Sequence, residues 1–255
     1  MALTDNIVAY FKAEDLTEEV SSLTLTNNNL VTFTSGKIGN AFTLNGTSQY
    51  LSRTDSGSAL DLIATDFTLN FWVKWGTVPS NNTIDSFVGK FDSAARQYLF
   101  SQFNNSGTQQ LIAEIGDGGG GAGQTEVNWT PTAGTWYMVT LRYTNSTLKT
   151  DFSVDGSAQG TQQTTSTTLG NGGADFRIGA GFGTSRYFDG QIDEVGVWDR
   201  RLTDAEITSL YNSGSGLQYP FSATDIKSVN GLAKASVKSV NGLAIASVKS
   251  INGLA

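Results

Sequence analysis

F-D-G-Q-I-D-E-V-G-V-W-D-R-R-L-T-D-A-E-I-T-S-L-Y-N-S-G-S-G, residues 188–216, changes its period half-way along. In the first half Ile192, Val195, Val197 and Trp198 stand apolar among polar neighbours, close to the period of a half-buried strand. In the second half T-D-A-E places Thr203 as a helix N-cap with Glu206 three residues on, the pattern of a capping box. Leu202 and Ile207 flank that cap at the spacing of a hydrophobic staple. Ile207, Leu210 and Tyr211 then mark one face of a short helix, and Gly214 and Gly216 supply the positive φ that can end it. No other stretch of the chain reads as a convincing helix.

Upstream, the pattern is strands and turns. Residues 66–75 (D-F-T-L-N-F-W-V-K-W) alternate, with Phe67, Leu69, Phe71 and Val73 on one face, which predicts a central strand with a fully apolar side. Trp72 and Trp75 lie on or near the other face. They would stack on a sugar ring if that face is open, and would be core if it is covered. Further strands are expected at 7–11, 30–34, 41–44, 49–52, 86–90, 97–103, 109–115, 135–143, 148–154, 157–161 and 175–179. Asn45-Gly46 and Asp155-Gly156 read as hairpin turns. Short strands with a turn signal every few residues mean a sandwich or barrel. Residues 13–22 carry Glu14, Asp15, Glu18 and Glu19, read as a solvated acidic loop or a calcium loop. The run G-D-G-G-G-G-A-G at 116–123 is expected to be a flexible loop tip, because no helix or lysine follows to cradle a phosphate.

Composition narrows the chemistry. With 255 residues there is room for one large all-β domain and an appendage. A net charge of −7 argues against a nucleic-acid footprint. With no Cys and no His, the chain has no disulfide, no thiolate metal site and no ordinary partner for a serine nucleophile. Any metal would be a hard cation on oxygen ligands, calcium being the best fit. The start M-A-L-T-D-N-I-V-A-Y lacks a basic region and a long apolar run, so neither a secretory signal nor a membrane helix is expected. The Ser-, Thr-, Asn- and Gly-rich surface chemistry nonetheless suits an extracellular setting. Release on a particle when the cell lyses, with exposure at a virion surface after synthesis in the host cytoplasm, would reconcile the two; an unrecognised export route is the alternative.

Composition shifts after Tyr219-Pro220-Phe221. K-S-V-N-G-L-A begins at Lys227 and Lys238, and K-S-I-N-G-L-A begins at Lys249, a period of 11 residues. Each unit is a short β-prone run with an Asn-Gly corner. The expected division is 1–221 for the sandwich and 222–255 for a repetitive β tail. Such short units bury little surface alone. We read residues 226–255 as an assembly element for self-association or for other virion proteins, with Val229, Leu232, Val237, Val240, Leu243, Val248, Ile251 and Leu254 as its contacts.

The order of pieces resembles the laminin-G-like jelly-roll domains of the concanavalin A-like lectin/glucanase superfamily. The matching residues are N-I-V-A-Y-F-K (6–12), S-G-K-I-G-N-A-F-T-L-N-G (35–46), D-F-T-L-N-F-W-V-K-W (66–75), T-W-Y-M-V-T-L-R-Y (135–143) and 188–214. The resemblance implies a two-sheet antiparallel jelly-roll sandwich with one short C-terminal helix, glycan or protein recognition, and in many members a structural Ca2+. It makes Asp193 the metal candidate; the other reading of Asp193 is a carboxylate capping the Arg200–Arg201 region. The tail resembles repeats on bacteriophage virion proteins, which implies a head decoration, a head fibre or a tail-associated component; a host-glycan adhesion module is the alternative. Related glucanases carry E-x-D-x-E or E-x-D-x-x-E on one strand face, and neither occurs here. Asp193 and Glu194, being adjacent, are expected to face opposite ways, and Asp155 lies at a turn from Asp151. No catalytic residue is therefore expected. Deleting residues 224–255 should leave a folded sandwich by circular dichroism and a monomer by light scattering; unchanged assembly would contradict the tail's role.

Overall fold

The computed structural model describes residues 2–55, 57, 59–183 and 185–221, and the backbone of four short tail strands. The chain divides into two units, Met1–Tyr219 and Pro220–Ala255. Described strands of the first unit are β1 (Ile7–Phe11), β2 (Thr26–Asn28), β3 (Thr32–Ser35), β4 (Asn40–Asn45), β5 (Tyr50–Arg53), β6 (Phe67–Trp75), β7 (Ile84–Phe91) and β8 (Arg96–Asn105). They continue with β9 (Thr108–Gly116), β10 (Ala122–Asn128), β11 (Trp136–Thr144), β12 (Lys149–Val154), β13 (Ser157–Thr164), β14 (Phe176–Ile178) and β15 (Asp189–Trp198). Helix α1 spans Asp204–Tyr211. One antiparallel sheet runs β13-β12-β11-β6-β15-β4-β3, with β1 also paired to β15; the other runs β10-β9-β8-β7-β14-β5-β2. This is an all-β, two-sheet jelly-roll sandwich with one short helix, as the sequence implied.

The expected central strand is β6, flanked by β11 and β15. Phe67, Leu69, Phe71 and Val73 are all fully buried in the core. Phe71 meets Phe87 and Phe100 of the opposite sheet edge-on, each with ring centroids 5.6 Å apart. Such inter-sheet aromatic contacts fix the sandwich spacing.

β15 carries the unexpected local geometry. Asp193 lies opposite Trp72 and Gly196 opposite Asn70, so two residues face one on β6. Glu194 is the extra residue, in the left-handed region at φ 52. The bulge falls where β15 changes its outer partner, from β4 at Asp189–Ile192 to β1 at Val195–Trp198. It corrects the expectation that Asp193 and Glu194 face opposite ways. Asp193 sits with Trp72, whose ring stacks on Tyr211 of α1 at 5.8 Å. Glu194 accepts a 2.6 Å hydrogen bond from the Tyr10 hydroxyl and one from the Gln218 amide. Tyr10 alternates with the core residues Ala9 and Phe11, so both carboxylates lie on the outer, helix-bearing face.

Other expectations change in detail. β4 and β5 belong to different sheets, so Asn45-Gly46 is a crossover rather than a hairpin. Asn45 Oδ1 organises it by accepting from the amides of Thr47, Ser48 and Gln49 at 3.0–3.1 Å. Asp155-Gly156 does join a hairpin, with Val154 opposite Ser157. The capping box at Thr203 is present, and α1 ends after Tyr211 on Asn212 in the left-handed conformation, with Gly214 and Gly216 also at positive φ just beyond it. In loop 13–22 Glu14, Asp15 and Glu19 are exposed as a solvated acidic loop requires, but Glu18 departs from that reading. Glu18 is buried, and its carboxylate accepts from the amides of Tyr10, Val20, Ser21 and Leu23 at 2.6–3.3 Å. Glu14 is bonded to Asn40. The glycine-rich stretch is a packed turn: a Cβ at Gly116 would meet Arg96 backbone at 2.3 Å, and one at Gly118 would meet Asn171 backbone at 2.2 Å. There glycine serves close backbone approach.

In the tail, β16 (Ser228–Val229) pairs antiparallel with β17 (Leu232–Ala233), and β18 (Ser239–Val240) with β19 (Leu243–Ala244). Val229 lies opposite Leu232 and Val240 opposite Leu243, so two residues separate each pair. Of the expected contacts, Val237, Val248, Ile251 and Leu254 lie outside the described residues.

Burial pushes Asp193 up to about 7, against hydrogen bonds from the Ile38 and Lys37 amides. Burial also pushes Glu194 up to about 8, against the Tyr10 hydrogen bond and with help from the Asp193 charge. Both values lie above those of an unfolded chain, so the folded protein holds protons that the unfolded one releases. Their contribution to stability is complete below the ordinary carboxylate range and is lost as pH rises through about 7 and about 8. Denaturant titrations at about pH 5 and about pH 8.5 should show the protein more stable at the lower pH, and the D193N/E194Q variant should show a smaller difference.

Candidate functional site

The bulge carboxylates are walled in. Asp193 is 0% and Glu194 2% exposed. Asp193 Oδ2 accepts from the amides of Lys37 and Ile38 at 2.8 and 3.0 Å. A Cβ on Gly36 would reach that oxygen at 2.6 Å. These amides occupy Oδ2, while Oδ1 is buried and takes no part in these contacts. Nor does Asp193 cap the arginine region. Arg200 pairs with Glu206 at 2.8 Å, and Arg201 pairs with Asp151. Asp193 therefore locks the β3–β4 turn to β15 through Oδ2, and the arginine-capping reading of it is corrected. Among the described residues, no group of three or more acidic side chains is placed to hold a metal ion.

The two tryptophans also change role. Trp75 is 0% exposed and packs in the core against Phe87, Trp129, Tyr137 and Phe188. Trp72 is 2% exposed, sandwiched between Tyr211 and the Lys37 ammonium, which lies 4.4 Å above its ring. Neither offers a ring face to a sugar. Asp151 is bonded to Arg142, and Asp155 accepts from the Met138 amide, so both are structural.

The open chemistry lies at one end of the sandwich. A cleft of about 580 Å³ is lined by the β4–β5 crossover (Asn45, Gly46, Thr47), the β6–β7 loop (Val78, Pro79, Ser80), the start of β7 (Ile84, Asp85) and the segment entering β15 (Arg186, Tyr187, Asp189). Its size suits a small ligand. Two glycines shape it. The Gly46 amide donates to Phe188 O at 3.1 Å and the Gly76 amide to Asp189 O at 2.9 Å. A Cβ at Gly46 would meet Asp189 Cβ at 2.7 Å, and one at Gly76 would meet the Asp189 carboxylate at 3.1 Å. The Asp189 backbone is thus held between two chains while its carboxylate lines the cleft.

Asp85 faces the same space from β7. Burial, reinforced by the Asp189 charge, pushes it up to about 7. Arg186 is in the left-handed region at φ 54, and its backbone carbonyl accepts from the Ser86 amide at 2.9 Å. Its guanidinium is committed elsewhere: it pairs with Glu114 at 2.7 Å and lies 4.8 Å from the Phe182 ring centroid. Tyr187 is half-buried, with its ring 6.2 Å from that of Tyr50. No motif in the sequence signals this site. Asp85 and Asp189 are far apart in the chain, and only the sheet order unites them. The one sequence hint was Asn45-Gly46, whose turn forms a wall.

Residues 45–208 match a laminin G family model described as the concanavalin A-like lectin/glucanases superfamily. No curated protein matches the sequence. Among solved structures, the chain is similar to domain 4 of AbnA, a GH43 extracellular arabinanase from Geobacillus stearothermophilus, in complex with arabinotriose. Identity is 21% and the TM-score 0.59, over 80% of this chain and 97% of that one. It is also similar to the binding domain of botulinum neurotoxin DC in complex with SialylT (12% identity, TM-score 0.65, 82% of this chain and 52% of that one). A third is the binding domain of Paraclostridial Mosquitocidal Protein 1 (14%, TM-score 0.66, 82% and 52%). This chain spans about half the length of the two toxin binding domains. An Asp189→Asn variant should lower the Asp85 titration midpoint from about 7 toward the ordinary carboxylate value, as read by carboxyl NMR; an unmoved midpoint would mean the two groups do not share the cleft.

Proposed function

Because the chain belongs to the concanavalin A-like lectin/glucanases superfamily, we propose that its sandwich is a non-enzymatic glycan-binding module working through the end cleft. One observation carries this reading: two carboxylates and the half-buried Tyr187 line one cleft at the strand ends, with the Tyr50 ring 6.2 Å behind that of Tyr187. Carboxylates accept strong hydrogen bonds from sugar hydroxyls. Tyrosine rings offer an apolar face to a sugar ring and a polar edge to its hydroxyls. Arabinotriose in the AbnA domain and SialylT in the neurotoxin domain lend support, as ligands of proteins with this fold.

The tail favours a second, compatible reading. β16–β17 and β18–β19 repeat the same pairing one sequence repeat apart. A regular run of small hairpins suits stacking on copies of itself or pairing with an exposed sheet edge. We therefore propose residues 226–255 as the attachment element by which the sandwich is displayed at a virion surface, with other virion proteins or further copies of this chain as partners. Neither nucleic acid nor membrane insertion enters this reading.

Isolated residues 1–221 should bind members of a glycan array saturably. Tyr187→Ala and Tyr50→Ala should each weaken binding roughly three- to tenfold, the order of a single aromatic contact. Binding untouched by both changes would move the site away from the cleft.

A further inference from the structure

Given the end cleft as the glycan site, we propose that it selects uncharged sugars with adjacent free hydroxyls and rejects anionic sugars such as sialic and uronic acids. The inference rests on which groups around the cleft remain free. Among the described residues, the carboxylates of Asp85 and Asp189 have no hydrogen-bond partner, and both line the cavity. Arg186 is the cation in the lining, and its charge is already paired with Glu114. Glu114 is itself part of the second sheet, paired on β9 between β8 and β10, so the pair is anchored from below. Drawing Arg186 toward an incoming carboxylate would take from the half-buried Glu114 its hydrogen-bonded partner and leave it only the charge of Arg96, which is costly. A sugar acid therefore meets the Asp189 carboxylate, an Asp85 that carries its charge only part of the time near neutral pH, and no available cation.

A neutral sugar meets the opposite situation. A pair of adjacent hydroxyls presents two donors to the two oxygens of a carboxylate, a charge-assisted arrangement with directional specificity. The other polar lining groups, Asn45, Thr47, Ser80 and Thr83, are uncharged and do not change this balance. Rejection of the wrong ligand here comes from like charge and from the lack of a free cation, rather than from shape.

The test uses the full chain and calorimetric titration at neutral pH. The neutral probes are arabinotriose and maltotriose; the anionic probes are sialyllactose and trigalacturonate. We expect saturable binding of at least one neutral probe and at least tenfold weaker binding of both anionic ones, with the gap narrowing at high salt. Asp85→Asn and Asp189→Asn keep side-chain shape, so a thermal melt should be near that of the parent. Each should weaken the neutral probe about tenfold and narrow the gap. Anionic probes bound as tightly as neutral ones would overturn the selectivity while leaving the glycan reading in place. Neutral binding indifferent to both Asn variants would also overturn it. Failure of all four probes and of the array would overturn the glycan reading and the selectivity together.

Discussion

The carboxylates of Asp193 and Glu194 have almost no contact with water, and each has to find its donors inside the protein. Asp193 takes them from the β3–β4 turn, and Glu194 from Tyr10 on β1 and Gln218 beyond α1. Two adjacent residues thereby fasten three separate stretches of chain to the middle of one sheet. The arrangement needs the bulge, because a regular strand would send one of the two carboxylates into the core. It also needs α1 and the segment after it as a lid, with Tyr211 on Trp72 and the Tyr10 hydroxyl also reaching Leu217 O at 3.2 Å. The Leu217 contact gives the network a second use. When Glu194 is protonated it donates to the Tyr10 oxygen, and Tyr10 donates onward to Leu217, so no polar atom of that chain is stranded.

Legibility in the sequence followed the range of the interaction. The apolar alternation of β6 is local, and it gave both the strand and the face that became core. The capping box is a four-residue signal, and it appeared where it was read. The resemblance spread over the chain supplied the sandwich. What escaped was set by pairing between distant segments. Asn45-Gly46 has the chemistry of a hairpin, but the strands beside it pair in different sheets. The bulge at Glu194 depends on β15 exchanging β4 for β1, which leaves no mark on D-E-V-G. Trp72 and Trp75 were open alternatives until the helix and the core closed over them. Glu18 looked like one solvated carboxylate among four, and its burial depends on a loop folding around it.

The end cleft was the least legible part for the same reason. Its walls come from three connections and the strand ends beside them, and none of these carries a motif of its own. Glycine carries much of the information. Gly46 and Gly76 bracket Asp189 so closely that a side chain at Gly46 would have to displace it. The cleft sits on strand ends that the two-sheet core holds rigid, which suits a site meant to recognise rather than to move.

β15 is the last strand of the sandwich in sequence, yet it lies at the centre of its sheet. It fills the space between β6 and β4 and also pairs with β1, where Ile7 meets Trp198. A ribosome therefore finishes nearly the whole sandwich before the piece that joins it exists. Until then the nascent sheet is split, with the edges of β6 and β4 unpaired and the hydrophobic stripe of β6 uncovered on one side. Contacts of such long range close slowly, and exposed edges invite pairing with the wrong chain. Crowded synthesis of this protein is thus the stage at which it is most prone to aggregate, and the interval closes only when residue 198 leaves the exit tunnel.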